Sequence, residues 1–320
     1  MMKSSTQQVT RKNKPIIFLF GPTASGKTSL VEALFTSGYQ IVNADSVQVY
    51  RHLDIGSAKP SEELMGKIRH HLVNILDPWQ QFTVGQFIEK ADEAVDSIYA
   101  DGEIPLVTGG TAFYFKHFLY GLSSAPVADE GIRRRVDEEL KRDGAQALYE
   151  RLRQADPVSA ARININDTYR ITRALEVWYQ SGRPLSSFAL PDKPRRGMRP
   201  LVLNIVRDRE DLYRRIEQRV DEMFSLGLVD EIRKLRKMGA EPSWPGLTGI
   251  GYAEFFSAFD NGCSSMDDIK NAICRNSRHY AKRQMTFFRS FSDVVDIHPD
   301  DLDSIRSVVR CYLSGIESID

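Results

Sequence analysis

Pro15-Ile16-Ile17-Phe18-Leu19-Phe20 runs directly into Gly21-Pro22-Thr23-Ala24-Ser25-Gly26-Lys27-Thr28. An apolar strand thus meets a Gly-x-x-x-x-Gly-Lys-Thr loop. Beyond it, Leu30, Val31, Ala33, Leu34 and Phe35 continue as a helix that Gly38 stops. Glycines in such a loop let successive backbone N–H groups turn toward a phosphate, and the helix behind adds its positive end. Lys27 supplies a full charge, and Thr28 a hydroxyl suited to Mg²⁺. The stretch therefore specifies a P-loop for a phosphate or diphosphate, without specifying a nucleotide.

Outward from this loop, strand and helix signals alternate. Residues 40–45 read as a buried strand ending in Asp45, and 46–60 as a structured loop holding Asp54, Gly56 and Pro60. Residues 71–77 read as a third strand stopped by Pro78, 83–100 as a helix, and 104–108 as a strand running into Gly109-Gly110-Thr111. This order predicts an α/β fold, a mostly parallel sheet flanked by helices. Residues 122–128 read as a linker, 129–181 are helical without a strand signal, and 182–200 are a second linker rich in Pro, Gly, Ser and Arg. A strand returns at 201–206. Helices follow over 209–226, 228–238, 251–259 and 266–290, then an edge strand at 293–297 and a closing helix at 301–314. The expected organisation is a disordered leader (1–14), a P-loop core (15–121 and 200–320) and an all-helical insertion domain (122–199).

Composition is that of an ordinary globular chain of 320 residues, 42% hydrophobic and 27% charged. Lys+Arg and Asp+Glu both number 43, so a global basic field is excluded and any nucleic-acid contact must be local. Cys263, Cys274 and Cys311 are too dispersed for a disulfide framework or metal site. None of the six histidines pairs at metal-ligand spacing. No signal peptide or membrane-spanning run is visible, and a cytoplasmic protein is expected.

Several residues stand where chemistry is done. Asp45 ends the strand next in sequence after the P-loop strand, and ligands of open α/β sheets bind outside such ends. A carboxylate there can hold Mg²⁺, act as a general base or cap a helix. Hydrolytic P-loop enzymes carry a Walker-B Asp on a neighbouring strand. Strand 104–108 ends instead in Gly109-Gly110-Thr111, and Asp77 before Pro78 reads better as a turn. Thr111 offers a hydroxyl and a helix cap. In Asn166–Val177, Arg170 and Arg173 share a helix face with Glu176, as a surface ladder or as a pair of guanidinium groups for phosphate or base recognition. Arg207, Arg209, Arg214, Arg215 and Arg219 cluster after the returning strand, and Arg275, Arg278, His279, Lys282, Arg283 and Arg289 stud the long helix. Two basic elements beside a P-loop suggest a long anionic substrate.

Taken together, Gly21–Thr28, Asn43–Tyr50, Asp54–Pro60, Val107–Thr111, Asn166–Val177, Gly249–Tyr252 and Ala281–Arg289 resemble the tRNA dimethylallyltransferase family, in that family's order, from about residue 16 to about 290. The resemblance implies a prenyltransferase that moves a dimethylallyl group from dimethylallyl diphosphate to N6 of the adenosine 3′ of the tRNA anticodon, releasing diphosphate with Mg²⁺. It implies that Gly21, Pro22, Thr23, Ala24, Ser25, Gly26, Lys27 and Thr28 cradle the diphosphate, that Arg215 and Arg219 assist, and that Thr28 holds Mg²⁺. It implies Asp45 as the acceptor of the N6 proton, Lys27 as a charge neutraliser and Thr111 as a positioning group. Asp45, Ser46, Val47, Gln48, Arg133, Tyr169, Arg170, Ile171, Thr172, Arg173, Gly249 and Tyr252 would contact tRNA. A monomer is expected. Two departures are visible. Phe287 and Phe288 stand where a Trp is common, and nothing after 290 resembles the zinc-binding extension of eukaryotic members, so the bacterial type matches better. The alternative is a P-loop kinase of a nucleoside or small metabolite.

Overall fold

The computed structural model describes residues 14–188, 191–260 and 265–317. The leader other than Lys14, as well as Cys263, lies outside the described residues. The chain forms two compact units. One runs to Leu119 and resumes at Pro194; the other is Tyr120–Lys193.

The first unit carries one six-stranded sheet. In chain order its strands are β1 (Lys14–Phe20), β2 (Tyr39–Asn43), β3 (His70–His71), β4 (Ile104–Thr108), β5 (Met198–Ile205) and β6 (Val294–Ile297). Their order across the sheet is β3-β2-β4-β1-β5-β6, and every pairing is parallel. Both faces are covered, which explains the unbroken apolar run of β1. Ile17 and Leu19 point into an aliphatic layer with Leu30, Val31, Ile41, Leu106, Leu203 and Ile305. Phe18 and Phe20 point the other way, onto Phe115, Phe118, Phe288 and Phe291. Phe288, at the position that departs from the resembled family, stacks on Phe20 with centroids 4.4 Å apart.

The helices are α1 (Lys27–Leu34), α2 (Glu62–Lys67), α3 (Val84–Ala100), α4 (Ala112–Tyr120), α5 (Glu130–Ala155), α6 (Pro157–Ala160), α7 (Thr168–Ser181), α8 (Arg209–Ser225), α9 (Leu228–Lys237), α10 (Ala253–Asp260), α11 (Met266–Phe288) and α12 (Leu302–Glu317). Thr83 and Gln86 close a capping box on α3, and Ser265 with Asp268 closes one on α11. Three helices, α5 to α7, lie within the second unit. Val136, Leu148, Leu152, Ile171, Ala174 and Leu175 form its core, and Gly144 (φ 81°) kinks α5.

The expected strand at 71–77 is shorter than its composition suggests. Leu72 (φ 64°) and Asn74 (φ 57°) take left-handed backbone, which ends β3 at His71. Only a single bridge, Tyr50 to Leu76, follows. Likewise β2 stops at Asn43, so Asp45 lies beyond the strand rather than in it.

Candidate active site

The P-loop begins where β1 leaves the sheet. Gly21 has no room for a side chain: a Cβ there would come within 2.7 Å of Ser25 Oγ and 2.9 Å of Ile205 Cβ. Gly26 sits at φ 101°, where a side chain would be strained, and directly precedes α1. Ala24 shares the left-handed region (φ 61°). Arg207, its side chain almost fully buried, braces the loop from behind. Its Nε donates to Ser25 O (2.8 Å), while its guanidinium pairs with Asp211 and Asp300.

Lys27 folds back over the loop and donates to Gly21 O (2.8 Å) and Pro22 O (2.9 Å). Burial, reinforced by the nearby Arg219 charge and opposed by Asp45, pulls the Lys27 ammonium down to about 7. Arg219 also reaches the loop, its Nη1 3.3 Å from Thr23 Oγ1.

Asp45 is held at one oxygen. Its Oδ1 accepts from Val47 N (2.9 Å) and Gln48 N (3.2 Å). Its Oδ2 faces Gly110, where a Cβ would lie only 2.9 Å away. Gly109 is tighter still: a Cβ would strike the Ala44 carbonyl at 2.4 Å. The glycine pair is therefore required by the close approach of β4's end to the Asp45 segment. Thr111 locks the same junction. Its Oγ1 accepts from Ser46 N (2.9 Å) and donates to Ser46 Oγ (3.1 Å), and Thr111 N donates to Ala44 O (3.0 Å).

One side chain of α11 joins these pieces. Gln284, buried, accepts from Thr23 N at Oε1 (2.8 Å) and donates from Nε2 to Gly110 O (2.5 Å). Tyr280, one turn earlier, donates its hydroxyl to the same carbonyl (2.8 Å). Burial pushes the Tyr280 phenol well above its ordinary range, so it stays a donor.

Two cavities meet at this junction. The smaller, about 100 Å³, is lined by Thr23, Lys27, Thr28, Asn43, Asp45, Thr108 and Gly110 among others. The larger, about 590 Å³, is lined by Asp45, Ser46, Val47, Phe82, Tyr114, Gly249 and Arg283 among others. Thr23, Asp45, Arg219 and Tyr280 line both.

The sequence-derived candidates divide accordingly. Lys27, Thr28, Asp45, Thr23 and Arg219 come together, with Ser46, Val47 and Gly249 along the larger cavity. Gln48 lines the smaller one, its amide donating to Ser57 O and Ala58 O (3.1 Å each). Arg215 lines neither cavity: it lies one turn before Arg219 on the same side of α8, and its Nε is held by Asp211 (3.0 Å). Tyr252 is fully buried and donates to Glu231 Oε1 (2.7 Å), so its side chain is a structural anchor rather than an RNA contact. Ile171 is likewise core in the second unit, since its position in α7 faces inward. Around it on that unit, Arg133 and Tyr169 are exposed, Arg170 pairs with Asp167, and Arg173 bonds Glu176 and Pro126 O. Thr172 Oγ1 donates to Tyr169 O.

Sequence reasoning did not assign roles to Gln284, Tyr280 or Arg207, although Gln284 sits inside the Ala281–Arg289 motif and Arg207 in the basic cluster. Their signal is long-range. Arg207 and Gln284 bond P-loop residues 182 and 261 positions away.

Comparison with known proteins adds an independent line. Residues 48–291 match the family described as IPP transferase, a span that starts after the P-loop. The chain is 42% identical over 299 residues to the tRNA dimethylallyltransferase of Borreliella burgdorferi, covering 93% of this chain and 97% of that one. It is 43% identical over 303 residues to that of Geobacter metallireducens, covering 93% and 97%. Among solved structures, it superposes with TM-score 0.68 and 31% identity on the full-length tRNA isopentenylpyrophosphate transferase of Bacillus halodurans, covering 96% of this chain and 99% of that one.

Proposed function

The chain belongs to the IPP transferase family, and from that membership we propose how its own residues transfer a dimethylallyl group to N6 of the adenosine 3′ of a tRNA anticodon. The observation that carries the reading is the wall common to the two cavities. Thr23, Asp45, Arg219 and Tyr280 face a small space edged by the P-loop and a large one able to admit a nucleobase. The diphosphate of dimethylallyl diphosphate lies against the P-loop N–H groups, with Lys27 and Arg219 offsetting the charge that grows as the C–O bond breaks. The adenine enters the larger cavity from the RNA loop, unstacked as base-modifying enzymes require.

At the junction, N6 attacks the allylic carbon and loses a proton. Two backbone N–H groups fix Asp45 Oδ1, which leaves Oδ2 as the oxygen that takes that proton. Thr111 acts at one remove, by holding Ser46 and so the turn that aims Asp45. Thr28, on the wall of the small cavity beside Asp45, is the residue that would hold Mg²⁺. The donor set suits that ion, which takes few protein oxygens, keeps several waters and binds the substrate's own phosphates. When bound it would neutralise the leaving diphosphate.

P-loop NTPases hold Mg²⁺ in part through an Asp on a strand near the P-loop strand. The end of β4, one of the two neighbours of β1, holds Thr108 instead. The proposed partner is tRNA, on which the protein acts as a monomer in the cytoplasm. Among the described residues no helix is long and apolar enough to cross a membrane. The test is transfer of label from dimethylallyl diphosphate to an anticodon stem-loop by the purified protein. Failure to label RNA bearing an adenosine 3′ of the anticodon, or equal labelling of RNA lacking it, would overturn the proposal.

A further inference from the structure

Two residues that line the small cavity each carry a buried side-chain atom with no hydrogen-bond partner among the described residues: Asn43 Nδ2 and Thr108 Oγ1. They are not scattered. Asn43 ends β2, Thr108 ends β4, and the two are register partners across the parallel ladder. Adjacent residues in register present their side chains to the same face of the sheet. Asn43 is only 5% exposed. Buried amides and hydroxyls are ordinarily paired, because an unpaired one keeps its desolvation cost without compensation. Two such groups on neighbouring strand ends, in residues that line a cavity with Lys27, Thr28 and Arg219, mark a built subsite.

The chemistry of the pair selects the ligand. An amide N–H can only donate, and a hydroxyl can donate, so both suit an oxygen-rich anion. Their neutrality matters equally. A carboxylate at either strand end would repel a diphosphate and would equip the site for metal-dependent phosphoryl transfer instead. We propose that Asn43 and Thr108 are diphosphate-binding residues, donating from Nδ2 and Oγ1 to non-bridging oxygens of the leaving diphosphate on the side of the cavity opposite the P-loop. This rests on the reading that the P-loop holds a diphosphate. It adds two strand-end side chains that make the cradle two-sided.

The experiment uses the full chain and inorganic pyrophosphate as probe, with binding measured by calorimetry and ligand-free stability by thermal melting. Thr108→Val keeps the shape and removes only the hydroxyl. A group without a protein partner contributes nothing to the fold, so this variant should melt no lower than the parent while binding pyrophosphate about tenfold more weakly. Asn43→Asp should weaken pyrophosphate more, through like charge, with anticodon stem-loop affinity unchanged. Parental pyrophosphate affinity in Thr108→Val with a lowered melting temperature would make the hydroxyl structural and overturn the inference. Tighter pyrophosphate binding by Asn43→Asp in the presence of Mg²⁺ would mean that the side chain faces a cation, and would also overturn it. Should the parent protein itself fail to bind pyrophosphate, the diphosphate reading of the P-loop falls, and this inference with it. Should the parent bind and transfer normally while both variants match it, only this inference falls.

Discussion

The backbone N–H of Thr23 in the P-loop donates to the side chain of Gln284, 261 residues further along the chain. The other end of the same amide holds Gly110 O, so one buried side chain fixes the separation between the phosphate loop and the turn beside Asp45. Gln284→Ala should leave a buried N–H and a buried carbonyl with one partner fewer, costing about 1–3 kcal/mol for each group left unpaired. Transfer should fall by on the order of 10²-fold, since small misplacements of reacting groups carry large rate losses. Single-turnover kinetics beside a thermal melt separate the two effects. A variant that is destabilised yet transfers at the parental rate would show that Gln284 only holds the fold.

Asp45→Asn retains the acceptor for Val47 N and Gln48 N but cannot take a proton. The chemical step should slow by roughly 10²–10⁴-fold with RNA affinity retained. A rate within a few-fold of the parent would remove Asp45 from the role of base.

Thr111→Ala deletes both contacts to Ser46, whereas Thr111→Ser keeps the hydroxyl. The alanine variant should lose about tenfold in kcat with little change in KM for the donor, and serine should restore most of it. Equal losses in both variants would assign the role to the methyl group and its packing.

Lys27 carries a pH dependence with a defined sign. Its folded-state value of about 7 lies far below the unfolded value of 10.5, chiefly through burial, then through Arg219, with Asp45 acting the other way. Below pH 7 both states are charged and the cost of burying the ammonium is fully present. Between about 7 and 10.5 the unfolded chain holds the extra proton, so stability of the ligand-free protein rises with pH, by at most about 1.4 kcal/mol per pH unit. Lys27→Met should raise the melting temperature at pH 7, flatten that slope and abolish transfer. A bound diphosphate restores the charge, so pyrophosphate binding above pH 7 should take up a proton, and affinity should fall toward about pH 9. Calorimetry in buffers of different ionisation enthalpy reads this uptake directly. Affinity independent of pH over that range would contradict it.

Glu231 on α9 anchors the loop that leads from Gln48 toward β3. Its carboxylate accepts from Asp54 N (3.0 Å), Ile55 N (2.8 Å), Gly56 N (3.1 Å) and the Tyr252 hydroxyl (2.7 Å). Glu231→Ala should cost about 3 kcal/mol or more, and Tyr252→Phe about 1 kcal/mol, because only the first strips partners from several buried donors. Chemical denaturation measures both, and equal costs would show that the three backbone bonds contribute little.

The P-loop, the alternation of strands and helices around it and the boundaries of the longer helices are legible in the sequence because each is a local pattern: an apolar run, a glycine spacing, a cap. Asp45 is legible through its position just past a strand end. What escapes is of another kind. Leu72 and Asn74 turn β3 off through backbone angles that their side chains do not advertise. Arg215 and Arg219 look equivalent in sequence, and only the pairing of Arg215 with Asp211 separates them. Tyr252 sits in a motif of functional appearance, yet its ring packs where a Gly56 Cβ would lie 2.6 Å away. Such roles depend on partners far off in sequence, which no local pattern encodes.

The sheet order also sets a timetable for synthesis. β1 is made first among the described strands but lies between β4 and β5, in register from Lys14 opposite Met198 to Phe20 opposite Asn204. At the usual ~5–20 residues per second, one edge of this strand, apolar from Pro15 onward, stays open on the ribosome for roughly 4–15 s while the second unit is made. The nascent chain thus carries an apolar strand with one unpaired edge until β5 is made, and its yield in cells should depend on chaperone supply more than the stability of the finished protein would suggest.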